Sequence, residues 1–120
     1  MRVAIYARVS TADKEQDPDT QLMALRDWCK SQGWGIHQEY IDTASANDQR
    51  GRTAWRELMD DAAKRQFNMV IVFKLDRAFR SVKDMHDTLS AWEIARVDFT
   101  SLKEGFDTST PMGDIVKSGV

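Results

Sequence analysis

The chemistry that the sequence suggests first comes from Arg8 and Ser10, a guanidinium and a hydroxyl two positions apart near the amino terminus. They end an apolar run that begins at Val3 and is typical of a buried strand. Side chains two residues apart on a strand lie on the same face, so the spacing predicts that this cation and this hydroxyl lie together. Because a serine hydroxyl is a weak nucleophile on its own, a neighbouring cation that stabilises its anion favours a nucleophilic role for Ser10.

A second charged group follows the apolar run 69–73, which is the clearest strand pattern in the chain. It contains Asp76, Arg77 and Arg80. If this segment is helical, residues three and four positions apart face the same side, and two guanidiniums beside a carboxylate are suited to binding a phosphate. The alternative is a solvent-exposed turn in which Asp76 and Arg80 form an ion pair.

Alternating strand and helix patterns predict how these two groups are positioned. The predicted strands are 2–9, 34–41, 69–73 and 97–102, and the predicted helices are 19–32, 52–66 and 82–95. This order predicts an α/β fold with a mostly parallel sheet of four to five strands and helices on both faces. The small, polar segment 42–51 is predicted to be an exposed loop. Because parallel strands end at one edge of a sheet, we expect the two charged groups to converge there.

Composition and charge limit the classes of protein that this chain can be. Its 120 residues predict one domain. A formal net charge of −2 argues against nucleic-acid binding through bulk charge, although basic residues concentrate between Lys64 and Lys83. No apolar run approaches the ~18 residues of a membrane-spanning helix, and no signal peptide is recognised, so we expect a cytoplasmic protein. No carboxylate cluster or Cys/His spacing indicates a metal or other cofactor. His37 and His86 are not placed for a Ser-His-Asp triad.

At these residues the chain resembles the serine recombinases, a family of resolvases, invertases and phage integrases. The resemblance covers essentially the whole chain, and its motifs are Tyr6-Ala7-Arg8-Val9-Ser10-Thr11 and Lys74-Leu75-Asp76-Arg77-Ala78-Phe79-Arg80-Ser81. It implies a resolvase-like catalytic domain of bacterial or phage origin that cuts and rejoins DNA at specific sites without a metal. In that chemistry Ser10 is the nucleophile that joins a DNA 5′-phosphate and releases a 3′-hydroxyl.

The resemblance also implies roles for the charged residues of the site. The phosphate-binding arginines are Arg8, Arg77 and Arg80, and the carboxylate held among them is Asp76. Arg52 resembles a further arginine that reaches the scissile phosphate in this family. That match is softer, because Arg50 is close by and Thr53-Ala54 stands where the family usually has Pro-Gly.

Three other residues have weaker matches. Gln16 and Gln21 fall where the family has polar residues that order the nucleophile loop, and the alternative for each is an ordinary residue of a surface loop. Lys64 is the nearest candidate for a lysine that the family places in the helix after Arg52, without a clear match.

The resemblance further implies how the chain is divided and what it binds. Residues 1–110 are expected to form the catalytic domain, with Thr110 and Pro111 opening the family's long dimerisation helix. Residues 111–120 would be only the start of that helix, and the family's DNA-binding domain is expected to be absent from these 120 residues. The full-length protein is expected to act on DNA as a dimer or tetramer, whereas residues 1–120 alone are expected to fold but to be inactive and weakly associating.

Two other functions stay open at this point. A truncated relative would keep the fold and pair with full-length partners or regulate them, without cutting DNA. A receiver-like signalling domain is suggested by Lys103 after the last strand. That class needs acidic residues after the first strand to hold Mg²⁺, and Arg8 stands there instead.

Overall fold

A five-stranded sheet positions the other elements of the protein. The computed structural model describes residues 1–10, 18–44 and 52–109. Along the chain these form β1 (Arg2–Ser10), α1 (Pro18–Gln32), β2 (Gly35–Ala44), α2 (Thr53–Ala63), β3 (Met69–Val72), α3 (Leu75–Ala78), α4 (Val82–Ala95), β4 (Asp98–Ser101) and β5 (Phe106–Asp107). The strand order is β2-β1-β3-β4-β5, in which the first four strands are parallel and β5 is antiparallel to β4. The predicted α/β fold with a mostly parallel sheet is confirmed.

Helices cover both faces of the sheet because the central strands are apolar on both sides. In β1, Val3 and Ile5 pack on one face with Leu25 of α1. Ala4 and Tyr6 pack on the opposite face, in the cluster to which α2 and α4 contribute. β3 is buried at every position. A strand buried on both faces has a continuous apolar sequence, which explains why the run 69–73 predicted this strand so clearly.

The helix boundaries follow from residues in the left-handed conformation. Gly33, with a φ of +74°, ends α1 at the predicted place, and Trp34 N–H then donates to Cys29 O at 2.9 Å. Arg96, with a φ of 62°, ends α4, which spans the predicted residues 82–95. α2 is shorter than the predicted range 52–66. It stops at Ala63 because the chain reverses at Arg65, whose φ is 56°.

The main correction to the sequence prediction concerns residues 42–44. They were predicted to belong to an exposed loop, but β2 continues to Ala44, which pairs with Ser10 at the end of β1. Asp42 is only 5% exposed. A carboxylate can be buried there because residues of other elements donate hydrogen bonds to it, and sequence composition does not reveal such contacts. Residues 45–51 lie outside the described residues.

The region after β3 contains two short elements that the sequence did not resolve. The charged segment forms the four-residue helix α3, and β5 adds a fifth strand. β4 is shorter than the predicted range 97–102. Leu102 and Lys103 still donate backbone hydrogen bonds to Val72 and Phe73, at 3.1 and 2.9 Å, but the chain there already turns towards β5.

Some predictions fall on residues that the structure does not describe. These are the polar segment 11–17 and the helix start at Thr110 and Pro111. Within the three described ranges, no helix is long and apolar enough to cross a membrane.

Candidate active site

The charged groups singled out from the sequence lie at the edge of the sheet where β1, β2 and β3 end. β1 pairs with β3 as far as Tyr6 and Val72, and with β2 as far as Ser10 and Ala44. The chain leaves β3 and forms α3 directly beyond this edge, where α3 packs against β1. Arg8, two residues past Tyr6 on β1, therefore lies at the same edge as the arginines that α3 and the next residues carry.

Asp42 connects three elements at this edge. It stands opposite Arg8 in the pairing of β1 with β2. Its Oδ2 accepts hydrogen bonds from Tyr6 Oη at 2.7 Å and from Trp55 N–H at 3.0 Å, and its Oδ1 accepts one from Ala54 N–H at 2.8 Å. The last two donors belong to the first turn of α2, where unpaired N–H groups and the helix dipole stabilise an anion.

Tyr6 is held in its neutral, donating form. Burial raises the pKa of the Tyr6 phenol, and the hydrogen bond to the Asp42 carboxylate raises that pKa further. The phenol ring also packs against Trp55, with ring centroids 4.8 Å apart in an edge-to-face arrangement. Tyr6 and Asp42 together fix the carboxyl end of β2 and the start of α2 relative to β1.

Arg52 links the start of α2 to the end of α3. Its guanidinium lies over the Trp55 ring, 4.5 Å from the ring centroid, which gives a cation–π contact. Its Nη2 donates a hydrogen bond to Ala78 O at 2.5 Å. The side chain is 8% exposed. In this arrangement Arg52 holds the last residue of α3 against α2.

The residues after α3 are held by the start of α4. Asp84 Oδ2 accepts a hydrogen bond from the backbone N–H of Arg80 at 3.0 Å, and Ser81 Oγ accepts one from Asp84 N–H at 3.0 Å. Ser81 is thus the N-cap of α4. The backbone that carries Arg80 is fixed from both sides, while its guanidinium is exposed.

The side chains of this edge differ in burial. Arg8 and Arg77 are half-buried, whereas Asp76 and Arg80 are exposed. No ion pair joins Asp76 to Arg80 in the described part of the chain, so the ion pair of that alternative is wrong, although both side chains are exposed as it had them. The Nε of Arg8 is buried, and none of the described residues accepts a hydrogen bond from it.

The arginines give this edge a local positive charge. Four guanidiniums lie here, although the chain as a whole has a net charge of −2. They belong to Arg8 in β1, Arg52 just before α2, Arg77 in α3 and Arg80 just after α3. The Asp42 carboxylate is buried and already has three donors. Such an arrangement can bind an anion, and the planar fork of donors on arginine matches phosphate oxygens.

Other predicted residues are placed as follows. Ser10 ends β1, and its side chain lies outside the described residues, as do Gln16 and Arg50. Gln21 lies in α1 and is 3% exposed, so the surface-loop alternative is wrong for this residue. Lys64 is exposed and follows the last residue of α2. It is separated from Arg52 by the 11 residues of that helix, about 16 Å of helix axis, and does not lie at this edge.

Asp42 is the residue of this edge that sequence reasoning missed. Its partners lie 36 residues earlier and 12 to 13 residues later in the chain, so no local spacing indicates them. One signal was available. α2 begins after Arg52, and arginine is not a residue type that caps the start of a helix, so the cap had to come from another part of the chain.

The described residues show no metal centre. No group of three or more His, Cys, Asp or Glu side chains in the described ranges could hold a metal ion. The positive charge that the described residues place at this edge comes from the arginine side chains.

Comparison with known protein sequences identifies the family. The family described as "Resolvase, N terminal domain" matches residues 3–118. A probable DNA-invertase of Sinorhizobium fredii is 38% identical over 112 residues, which are 93% of this chain and 33% of that protein. The Tn917 resolvase of Enterococcus faecalis is 32% identical over 108 residues, which are 90% of this chain and 53% of the resolvase. The chain thus spans between a third and about half of the length of these relatives.

Solved structures share the fold. The N-terminal catalytic domain of TP901-1 integrase has a TM-score of 0.78 at 34% identity, covering 98% of this chain and 89% of that one. A resolvase family site-specific recombinase from Streptococcus pneumoniae has a TM-score of 0.82 at 22% identity, covering 98% and 84%, which shows likeness of fold alone. Since the family match extends over nearly the whole sequence, this chain belongs to the resolvase family of serine recombinases and corresponds to their N-terminal catalytic domain.

Proposed function

We propose that this chain is the catalytic domain of a site-specific DNA recombinase, which cuts and rejoins DNA through a covalent bond between Ser10 and a DNA 5′-phosphate. The observation that carries the proposal is the meeting of Arg8 with the Arg77 and Arg80 turn at one edge of the sheet. Membership of a family whose relatives are named DNA-invertase and resolvase supports it.

The proposed reaction exchanges one phosphodiester for another. The oxygen of Ser10 gives up its proton and attacks the phosphorus, the bond between phosphorus and the 3′ oxygen breaks, and that oxygen takes a proton and leaves as a 3′-hydroxyl. The 5′-phosphate remains esterified to Ser10. Attack by the 3′-hydroxyl of another DNA end reverses these steps and restores the serine. Because a phosphodiester is present before and after each step, no nucleotide cofactor is needed.

The arginines are proposed to stabilise the charge that builds on the phosphate oxygens in the five-coordinate transition state. Arg8 approaches from the end of β1, while Arg77 and Arg80 approach from α3 and the residue pair after it. Donors fixed in advance by the fold are worth more than mobile ones, because they do not need to reorganise during the reaction. Asp76, exposed beside Arg77, is proposed to orient the guanidiniums.

Arg52 has a mixed role in this proposal. Its Nη2 is engaged with Ala78 O, and its ring contact with Trp55 fixes the plane of the guanidinium. A guanidinium has five N–H donors, so the bond to Ala78 O leaves others for a phosphate. We therefore propose that Arg52 both holds α3 and contributes to phosphate binding. Gln21, buried at the start of α1, and Gln16 are proposed to order the segment that follows Ser10.

The test uses the protein expressed from its complete reading frame. In Ser10→Ala we expect DNA binding to persist and the covalent protein–DNA complex, measured by denaturing electrophoresis, to be abolished. Ser31→Ala is the matched control, because Ser31 is an exposed serine of α1 whose hydroxyl donates a hydrogen bond to the backbone of its own helix, at Trp28 O. EDTA is expected to leave the reaction unchanged in both the wild type and this control.

Each other outcome has a defined meaning. A covalent complex that survives denaturation in Ser10→Ala would refute the assignment of the nucleophile, and Thr11 would be the next residue to test. Loss of cleavage in EDTA with recovery in Mg²⁺ would indicate a two-metal nuclease mechanism. Association with an active recombinase, without any covalent complex of its own, would favour the non-catalytic regulatory relative.

A further inference from the structure

Glu104, in the turn between β4 and β5, contacts the start of the arginine-bearing helix α3. Its two carboxylate oxygens accept hydrogen bonds from the backbone N–H of Leu75, with distances of 3.3 Å to Oε1 and 3.2 Å to Oε2. Leu75 is the first residue of α3. Glu104 also accepts a hydrogen bond from the hydroxyl of Ser101, a fully buried residue at the end of β4. The carboxylate is therefore held by one group from α3 and one from the sheet.

The turn that carries Glu104 is itself fixed to the end of β3. Leu102 and Lys103 donate backbone hydrogen bonds to Val72 O and Phe73 O. Gly105 closes the turn with a φ of +69°, which a residue with a Cβ rarely adopts, and donates to Leu102 O at 3.2 Å. Since α3 follows β3 directly, the backbone around Glu104 has a fixed position relative to α3.

Helix α3 depends on contacts from outside for its orientation. It has four residues, and its N-cap residue, Lys74, makes no side-chain capping bond. A single helical turn is not stable by itself, because one or two hydrogen bonds do not offset the cost of ordering its backbone. The external contacts act at both ends, from Glu104 at Leu75 N–H and from Arg52 at Ala78 O.

We propose that Glu104 is a positioning residue for DNA cleavage, whose carboxylate holds the start of α3 so that Arg77 and Arg80 face the phosphate. This inference rests on the proposed function, because it concerns the arginines of the same site. The sign of the charge makes it testable. An exposed carboxylate repels DNA, so its removal should leave DNA affinity unchanged or raise it, while loss of the cap should slow the chemical step.

The experiment compares Glu104→Ala, Glu104→Gln and the matched control Glu93→Ala in the protein from the complete reading frame. Glu93 is an exposed glutamate on α4, so its removal changes the net charge equally without touching α3. We expect Glu104→Ala to slow formation of the covalent complex on the order of 10- to 100-fold, because a catalytic group displaced by about 1 Å can cost about 100-fold. DNA affinity should be equal to that of Glu93→Ala or higher.

Glu104→Gln should recover most of the rate. Its amide oxygen can still accept from Leu75 N–H, and the Ser101 hydroxyl can rotate to accept from the amide nitrogen instead of donating. Amide hydrogen exchange at Leu75 should be faster in Glu104→Ala than in the wild type, and close to wild type in Glu104→Gln. A glutamine variant as slow as the alanine variant would overturn the hydrogen bond as the cause.

The outcomes separate this inference from the proposed function. A wild-type protein that forms the covalent complex, with Glu104→Ala forming it equally fast, would overturn the positioning role and leave the proposed function intact. A wild-type protein that forms no complex would refute the proposed function and with it the catalytic role of Glu104. If Glu104→Ala fails to fold, Ser101→Ala takes its place, because it removes only the hydroxyl that orients the carboxylate. Ser101→Ala must then slow the reaction. An unchanged rate would overturn the inference.

Discussion

The two faces of the sheet are held by different kinds of contact. The face covered by α1 is an aliphatic cluster with sulfur-containing side chains, made of Val3, Ile5, Ala7, Leu22, Leu25, Cys29, Met69 and Ile71. The opposite face, covered by α2 and α4, is rich in aromatic rings. Trp55 lies within 6 Å of Tyr6, Phe79 and Trp92, measured between ring centroids. In the described part of the chain, the contacts of Trp55 with Arg52 and Asp42 join the second cluster to the edge of the sheet that carries the arginines, called the charged edge below.

This difference suggests a division between stability and positioning. Aliphatic packing is not directional, so the α1 face can hold the sheet without fixing the orientation of any one side chain. Cys29 illustrates this face, because burial raises the pKa of its thiol to about 11 and leaves it unreactive. The aromatic and hydrogen-bonded contacts of the other face are directional, and they pass from the core to Asp42, Arg52 and α3.

The largest expected effect on stability comes from the α1 face. Leu25→Ala should lower the free energy of unfolding by about 2–5 kcal/mol, because it leaves a cavity at a fully buried position. The cleavage rate of the folded molecules should stay unchanged, since Leu25 packs in the aliphatic cluster on the face of the sheet opposite Trp55. Urea denaturation and the rate of covalent complex formation at a temperature where both proteins are folded measure the two quantities.

Met23→Ala is the control for this substitution. Met23 lies on the same helix and is 58% exposed, so its replacement should change the unfolding free energy by no more than about 0.5 kcal/mol. If Leu25→Ala slowed the folded protein, the α1 face would also position the site, and the proposed division between the faces would be wrong.

The same division explains what could be predicted from the sequence. Apolar periodicity located β1, β3, α1 and α4, because burial on a sheet or helix face leaves a local pattern in the chain. Because Arg8 and the segment of α3 stand at the ends of these apolar runs, the sequence also predicted that they lie at the ends of strands. The roles of Asp42 and Glu104 were not predicted, because they depend on hydrogen bonds to residues at least 12 positions away. The one nearby partner among the described residues is Ser101, three residues before Glu104.

The next effect concerns the arginines, and it affects the reaction more than the fold. Arg80→Lys should keep the positive charge and lose the two-pronged contact with phosphate. Loss of one preorganised donor typically costs about 2.7–4 kcal/mol of transition-state stabilisation, which is a rate loss of about 10²- to 10³-fold. Arg77→Lys should behave in the same way. Single-turnover cleavage of a DNA duplex that contains the recombination site measures the rate.

Arg96→Lys provides the comparison for these two variants. Arg96 is an exposed arginine just after α4, and the same change of side chain there should leave cleavage unaffected. Near-wild-type cleavage by Arg77→Lys or Arg80→Lys would mean that the substituted arginine is an ordinary surface charge. The assignment of the site would then fail at that residue.

The smallest of these effects is carried by one hydroxyl group. Tyr6 and Tyr40 each donate a hydrogen bond to a carboxylate, Tyr6 to Asp42 at 2.7 Å and Tyr40 to Asp61 at 2.6 Å. Only the first carboxylate lies at the charged edge. Tyr6→Phe and Tyr40→Phe should both lower the free energy of unfolding, by up to about 1.5–3 kcal/mol, the usual contribution of a hydrogen bond to a charged group.

The two variants should differ in cleavage. Tyr6→Phe removes one of the three donors that hold Asp42. Because Asp42 fixes the start of α2 next to Arg52, we expect slower formation of the covalent complex when equal amounts of folded protein are compared. Tyr40→Phe loses a similar bond near the C-terminal end of α2, away from Arg52, and should cleave at the wild-type rate. Equal rates in both variants would show that the Tyr6–Asp42 bond serves stability alone, and that positioning of the edge begins at Trp55 and Arg52.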